Sequence, residues 1–174
     1  GHNRAGSEDP FKLVKEAGIA VVYIPNSVSI QGVYDDISFL GELFSKEERA
    51  VEIIDSMAVE IAKVTVVSEK IKPEDKMKVF MEIGWMYTTG DSTFLNELIE
   101  LAGGKNIFAF EFQWIEASAE SVISANPDVI ITNNSIENIL AVDGIEAVSA
   151  LQNNRIVLID ANSSSRPSHN VVKA

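Results

Sequence analysis

The chain has 174 residues, 46% hydrophobic and 23% charged, which is enough for one folded domain or for one lobe with part of another. Its formal net charge is −12, which argues against nucleic acid as a partner because phosphate binding depends on clusters of Lys and Arg. The absence of cysteine excludes disulfides and thiolate chemistry, and no apolar run reaches the roughly 18 residues that span a bilayer.

The first quarter of the sequence predicts two helices separated by a strand. Residues 9–17 form the first helix, which Gly18 ends with a left-handed conformation. The β-branched run 19–24 predicts a strand that is buried on both faces. Apolar residues spaced three and four apart then predict a helix over residues 35–44.

A long helix is predicted over residues 46–68. Ser45 and Glu48 form a capping box at its start. At 1.5 Å per residue it is about 35 Å long, which exceeds the usual globular helix and indicates an element that joins two lobes.

Strands and helices alternate over the remaining residues. The predicted strands are 78–83, 107–108, 129–132 and 156–159, and the predicted helices are 93–101, 119–125, 136–151 with an interruption at Gly144, and a last one starting at Arg166. Such alternation predicts an α/β fold whose mainly parallel sheet is covered on both faces.

Four loops follow predicted strands, where α/β sheets bind ligands. Their candidate ligand-binding residues are Trp85 and Tyr87 in the first loop, Gln113 and Trp114 in the second, Asn133 in the third, and Asp160 and Ser164 in the fourth. The aromatic side chains provide an apolar wall, and the amide and hydroxyl groups provide polar contacts. The structural alternative is that the aromatic residues cap the core and that Asn133 serves a plain turn.

Motifs for chemistry are lacking. The sequence has no Gly-x-Ser-x-Gly, Walker or His-Glu-x-x-His motif, and its two histidines, His2 and His169, stand at opposite ends. We therefore predict a protein that is not an enzyme and that has no metal site and no cofactor.

Four motifs and their order carry a family resemblance. They are Leu-Ala-Gly-Gly-Lys-Asn-Ile at 101–107, Ser-Ala-Glu-Ser-Val at 118–122, Asn-Pro-Asp-Val-Ile-Ile at 126–131 and Arg-Pro at 166–167, with Gly-Ile-Ala-Val-Val at 18–22 upstream. In this order and spacing, the chain resembles the substrate-binding proteins of ABC importers for cobalamin, siderophores and haem.

The resemblance implies a domain organisation. Family members have two α/β lobes that are joined by one long helix. On that plan, residues 1–10 are a tag or a disordered end, 11–45 the last strand-helix unit of an N-terminal lobe, 46–70 the bridging helix, and 71–174 the C-terminal lobe. The front of the N-terminal lobe is expected to be missing.

The resemblance also implies a function. An iron chelate, haem or a corrinoid would be captured outside the cytoplasm, by a periplasmic protein or a lipoprotein, in the cleft between the lobes. Trp114 and Asp160 match positions that cobalamin-binding members use, whereas Ser164 replaces an arginine. Glu120 would dock the protein on a permease, although its position in the first turn of a helix is by itself a sufficient structural reason for a carboxylate.

Two rival functions stay open at this point. In the first, an isolated α/β lobe binds a protein partner or forms a dimer through surface that the missing half would cover. In the second, the chain is an enzyme that is related by fold, for instance one that processes metal clusters or chelates. The lack of cysteine and of any histidine cluster weakens that second rival.

Overall fold

The computed structural model describes residues 9–173. The helices are α1 (Lys12–Glu16), α2 (Ile30–Leu43), α3 (Glu47–Ser68), α4 (Phe94–Leu101), α5 (Ala119–Ala125), α6 (Ile136–Leu140), α7 (Ser149–Gln152) and α8 (Ala161–Ser164). The strands are β1 (Lys78–Glu82), β2 (Tyr87–Thr89), β3 (Lys105–Asn106), β4 (Trp114–Glu116), β5 (Val129–Thr132) and β6 (Ile156–Leu158). Short 3₁₀ turns cover Pro73–Asp75, Ile145–Ala147 and His169–Lys173. The predicted tag or disordered end lies outside the described residues, apart from its last two.

All six strands form one sheet in the order β4-β2-β1-β5-β6, and β3 pairs with the first half of β1. Strands β1, β3, β5 and β6 run parallel, with Val79 beside Val129 and Ile130 beside Ile156. Strands β2 and β4 extend the sheet in the antiparallel sense. The α/β fold with a mainly parallel sheet is confirmed, and the antiparallel extension was not predicted.

Helices cover both faces of this sheet because its side chains alternate between them. On one face, Phe80 and Ile130 pack with Val122 of α5 and with residues of α6 and α7. On the other face, Val79 and Met81 pack against α4. The core is therefore three layers thick, and the carboxyl ends of the parallel strands meet at one edge.

The long helix is confirmed at 22 residues, but its predicted capping box is wrong. Lys46 is the N-cap, and no side chain caps the helix. Ser45 has a φ of 52°, and its amide donates to the Glu42 carbonyl oxygen at 3.2 Å. Ser45 therefore belongs to the turn that closes α2, and it lies one residue before the N-cap of α3. Within residues 9–173, no helix is long and apolar enough to cross a membrane.

The predicted strand at 19–24 is not formed. These residues have no regular secondary structure, and most of their side chains are exposed. A strand requires a neighbour for its backbone hydrogen bonds, and no strand of the described residues pairs with this segment. The β-branched composition is therefore not sufficient to form a strand here.

Three further boundaries differ from the prediction. Helix α2 begins at Ile30 because Ser29 caps it, accepting from the Gly32 amide at 3.1 Å. The edge strand lies at Lys105–Asn106, two residues earlier than predicted. The last α-helix, α8, is capped by Asp160 and precedes Arg166, and only a 3₁₀ helix at His169–Lys173 follows Arg166.

Candidate functional site

A cavity of about 780 Å³ lies between the irregular segment 23–28 and the loop edge of the sheet. From the sheet side it is lined by residues 92–94, Gln113, Trp114, Ser165 and Pro167. Cavities of about 300–1,000 Å³ are typical of small-molecule sites, and the wall of this one combines polar with apolar side chains. The structure thus places two of the predicted ligand-binding residues, Gln113 and Trp114, in the wall of one cleft.

A second cavity, of about 230 Å³, adjoins the first. Trp114 lines both cavities, and Asn133 and Ser164 line the second. The Trp114 ring packs edge-on against Phe94, with centroids 6.1 Å apart, and the side chain remains 45% exposed. The indole is therefore fixed on one side and open on the other, as a ligand wall requires.

Backbone hydrogen bonds from Gly90 and Asp91 fix the position of the segment that carries Gln113 and Trp114. The Gly90 amide donates to the Gln113 carbonyl oxygen at 2.6 Å, and the Asp91 amide donates to that of Glu111 at 2.7 Å. A Cβ at position 90 would overlap the carbonyl group of Glu111, so only glycine allows this approach. Gln113 itself has a φ of 60°.

A buried polar network stabilises the cavity wall at residues 92–94. The Asn106 side-chain amide donates to the Thr89 carbonyl oxygen at 2.8 Å and to Asn96 Oδ1 at 2.9 Å. The hydroxyls of Thr89 and Thr93 are hydrogen-bonded to each other, and Thr93 caps α4 by accepting from the Asn96 amide at 3.1 Å. The network joins β2, β3 and α4, so that the cavity wall at residues 92–94 is held rigidly.

Trp85 and Tyr87 occupy a hairpin turn, and neither lines the two cavities. The Tyr87 amide donates to the Gly84 carbonyl oxygen at 3.0 Å, and Trp85 and Met86 have φ values of 56° and 63°. Two consecutive left-handed residues are the hallmark of type I′ turns, which favour Asn-Gly. Each costs a residue other than glycine about 1 kcal/mol or more. The Trp85 side chain is 84% exposed.

Asp160, Asn133 and Ser164 meet in a hydrogen-bonded group around α8. Asp160 caps the helix, accepting from the Ser163 amide and hydroxyl, both at 2.9 Å. These bonds lower the pKa of Asp160, the hydroxyl first and the amide second. The Asn133 amide donates to the Ser164 hydroxyl at 3.0 Å. Asn133 and Ser164 therefore reach the second cavity, whereas the Asp160 carboxylate is engaged by its own helix.

Glu120 lies exposed in the first turn of α5. Its backbone amide and the Ser118 hydroxyl lower the pKa of its carboxyl group, which keeps the group ionised at neutral pH. The Ala117 amide donates to the Met86 carbonyl oxygen at 2.9 Å, so the start of α5 lies beside the Trp85 turn. Glu120 is thus a charged group on the same edge as the cavities.

The sequence analysis did not identify segment 23–28 or Ser165 as parts of the site. Segment 23–28 was interpreted as a strand followed by a loop, although Pro25 and Asn26 are residue types that dominate turns. Among residues 9–173, no three His, Asp or Glu side chains are grouped to hold a metal ion.

Comparison with known proteins agrees with this architecture. The sequence profile of the periplasmic binding protein family matches residues 6–163. An uncharacterized ABC transporter substrate-binding lipoprotein of Bacillus subtilis is 28% identical over 90% of this chain and 51% of its own length. A cobalamin-binding protein of Halobacterium salinarum is 25% identical over 92% of this chain and 46% of its own length.

One solved structure is similar at higher identity. It is a possible iron-binding, periplasmic solute-binding protein from Staphylococcus epidermidis, with a TM-score of 0.81 and 32% identity over 93% of this chain and 66% of that chain. The chain spans about half the length of the curated relatives it matches. Because the family profile covers most of the sequence, the chain belongs to the periplasmic binding protein family.

Proposed function

We propose that the protein captures an iron chelate, haem or a corrinoid outside the cytoplasm and delivers it to the permease of an ABC importer. The observation that carries the proposal is the cavity of about 780 Å³ between segment 23–28 and the loop edge of the sheet. The family membership and the cobalamin-binding relative support it. Binding without chemistry is the role expected of such a protein.

The lining of the cavity favours uncharged groups on the ligand. None of the described residues that line it carries a formal charge. Polar contacts come from Asn26, Ser27 and Gln113, and flat apolar surface comes from Trp114. Amide and hydroxyl groups match such a wall, whereas the two carboxylates of haem would require cations to offset their desolvation. Among these ligand classes, a corrinoid or a ferric hydroxamate suits the cavity best.

The proposed organisation places the cleft between two parts of the chain. Residues 11–45 would belong to an N-terminal lobe, 46–70 to the bridging helix and 71–174 to the C-terminal lobe. Helix α3 contacts α2 on one side and α4 on the other, which suits an element that connects lobes. A continuous helix of 22 residues would limit how far the cleft opens or closes.

Delivery would use the exposed edge that carries Glu120. An ionised carboxylate on this edge suits a basic surface of a permease, and such a pair governs orientation and association rate more than affinity. Replacing Glu120 with Gln should therefore slow association with a permease in low salt while leaving ligand binding unchanged. Surface plasmon resonance with the permease in nanodiscs measures this directly.

Equilibrium dialysis of the 174-residue chain against cyanocobalamin, ferrichrome and haemin tests the capture proposal. We expect saturable binding of cyanocobalamin or ferrichrome that is stronger than that of haemin. Trp114→Ala should weaken it, whereas Phe110→Ala should not, because Phe110 is exposed but lines neither cavity. Equal binding by both variants, or no saturable binding of any of the three compounds, would contradict the proposal.

A second candidate function is association of two copies of the chain. Phe39, Leu43 and Phe44 are each more than 40% exposed around the end of α2, and grouped apolar side chains of this kind mark contact surfaces. Sedimentation equilibrium distinguishes the two functions. A dimer that Leu43→Glu converts to a monomer, combined with no ligand binding, favours the second candidate, and a monomer that binds cyanocobalamin favours capture.

A further inference from the structure

Glu82 is a buried carboxylate at the end of β1, and it lines neither of the two cavities. Its side chain is 1% exposed, and none of the ion pairs among the described residues includes it. Burying a carboxylate is costly unless hydrogen bonds replace its hydration. The groups that donate hydrogen bonds to Glu82 therefore indicate which parts of the structure the carboxylate stabilises.

One oxygen of Glu82 holds the Trp85 turn. Glu82 Oε1 accepts from the Gly84 amide at 2.7 Å and from the Met86 amide at 3.3 Å. The two amides flank Trp85, and all three turn residues have positive φ, 111° at Gly84, 56° at Trp85 and 63° at Met86. Bulky residues keep this conformation only where the surroundings impose it. The carboxylate is such a constraint, since it binds the backbone on both sides of Trp85.

The other oxygen holds the loop after β5. Glu82 Oε2 accepts from the Thr132 hydroxyl at 2.7 Å, and the Thr132 oxygen in turn accepts from the Asn134 amide at 3.0 Å. The Asn133 side chain in this loop reaches Ser164 of α8 and lines the second cavity. One carboxylate therefore connects the Trp85 turn with the loop that carries Asn133.

We infer that Glu82 is a positioning residue for ligand binding, which fixes the Trp85 turn and the Asn133 loop relative to each other. The inference rests on the proposed function. Glu82 touches no ligand in this account and acts through the two loops. A role in core stability alone would be served as well by an apolar side chain, whereas only an acceptor with two oxygens satisfies both loops at once.

Glu82→Gln tests this role with little change in shape. The neutral glutamine oxygen accepts from the two turn amides less strongly than a carboxylate does, so the Trp85 turn is held less firmly. The glutamine NH₂ group cannot accept from the Thr132 hydroxyl, so this bond must either reverse, with the Thr132 oxygen accepting from glutamine as well as from Asn134, or break. Asp128→Asn is the matched control. Asp128 accepts from the backbone amide of Lys78 at 2.8 Å, and Lys78 lies at the opposite end of β1 from Glu82.

The first measurement is the time-resolved anisotropy of Trp85. Trp85 and Trp114 are the only tryptophans of the sequence, so in a Trp114→Phe background Trp85 alone is observed. We expect Glu82→Gln to increase the amplitude of nanosecond motion at Trp85 and Asp128→Asn to leave it unchanged. Unchanged Trp85 motion in Glu82→Gln would overturn the inference. If Glu82→Gln does not fold, Thr132→Val removes the contacts of Thr132 with both Glu82 and Asn134, and it should loosen the Asn133 loop while the Trp85 turn stays bound to Glu82 Oε1.

The second measurement is cyanocobalamin affinity by equilibrium dialysis, with the Trp114 side chain intact. We expect Glu82→Gln to weaken binding about tenfold, the lower end of what the loss of supporting groups costs at metal sites. Asp128→Asn should stay within about twofold, as for changes away from a site. Equal losses in both variants would overturn the inference. If the unsubstituted chain binds no cyanocobalamin, capture of this ligand is ruled out. The anisotropy of Trp85 then tests by itself whether Glu82 holds the Trp85 turn.

Discussion

Trp85 combines a left-handed backbone with a mostly exposed aromatic side chain. Its backbone is left-handed, which favours glycine and asparagine over an aromatic residue. Its side chain is mostly exposed, so it gains little from burial within this chain. Backbone strain of this kind clusters at functional sites, but Trp85 lines neither cavity, and its contact with a ligand stays a prediction.

Trp85→Asn should therefore stabilise the protein. Asparagine adopts the left-handed conformation at lower cost, and we expect a gain of about 0.5–1 kcal/mol in the free energy of unfolding. Urea denaturation followed by circular dichroism measures it. Trp114→Asn is the contrasting variant and should destabilise, because its ring packs against Phe94. A destabilised Trp85→Asn would show that the turn is not strained.

The Asp160 cap should make the free energy of unfolding depend on pH in the acid range. Its hydrogen bonds with Ser163 lower the pKa of the carboxyl group below the ordinary value of 3.8. A carboxylate with a depressed pKa in the folded state stabilises the fold fully above pH 3.8, and this contribution is lost as the pH falls through the folded-state value.

Asp160→Asn, which keeps a capping oxygen, should therefore unfold with a weaker dependence on acid than the unsubstituted chain. Thermal melts between pH 2 and 5 measure this, and Asp55→Asn on α3 controls for the change in net charge. Identical acid dependence in Asp160→Asn and in the unsubstituted chain would show that this cap contributes nothing.

At the scale of elements, the ribbon formed by the antiparallel strands β2 and β4 depends on the close approach of Gly90 to the Glu111 carbonyl group. Gly90→Ala should destabilise the protein by about 1–3 kcal/mol, as overpacking does, because the new methyl group would overlap the Glu111 carbonyl. Urea denaturation measures the loss. Gly18→Ala is the control, since its left-handed backbone has nothing within 4 Å of the added carbon. A loss in Gly90→Ala that is no larger than the loss in Gly18→Ala would contradict overlap with the Glu111 carbonyl group, because Gly90 lacks the left-handed backbone of Gly18.

Elements with strong local signals could be predicted from the sequence. Helix α5 lies over the predicted residues 119–125, and β1 and β5 lie within one residue of their predicted bounds. The ribbon was missed because β2 and β4 have three residues each, too few for alternation to show. The strand at 19–24 was predicted in error because pairing, and not composition, decides whether a short segment forms a strand.

The candidate site was predictable only in part. Trp114, Gln113, Asn133 and Ser164 line the cavities, and their role in binding stays a prediction. Segment 23–28 reaches the same cavity from far away in the sequence, and no local pattern encodes such a contact. Glu82 was missed for the same reason, because its partner Thr132 is 50 residues distant.

At the scale of the whole molecule, Glu97 joins the first part of the chain to the sheet domain. Its carboxylate on α4 accepts from the Ile30 amide at the start of α2, at 2.8 Å, where the helix dipole also favours a negative charge. Burial, and secondarily this carboxylate, raises the pKa of Tyr34 on α2. The contact helps to hold segment 23–28, which directly precedes α2, over the cavity.

Glu97→Ala should lower the free energy of unfolding by about 1 kcal/mol, as the loss of an N-terminal cap does, and should increase amide exchange at the start of α2. Glu100→Ala is the matched control, since Glu100 accepts only from Asn96 of its own helix. Hydrogen exchange with mass spectrometry measures both effects. Equal exchange at residues 29–33 in the two variants would contradict a link through Glu97.

The central claim, capture in the cleft between segment 23–28 and the sheet, is tested most directly by hydrogen exchange with and without bound cyanocobalamin or ferrichrome. We predict protection on both walls of the cavity, at residues 23–28 and at residues 112–114. Residues 46–60 of α3, which lie away from both walls, should exchange unchanged. Protection of one wall alone, or of neither wall despite saturating ligand, would contradict the account.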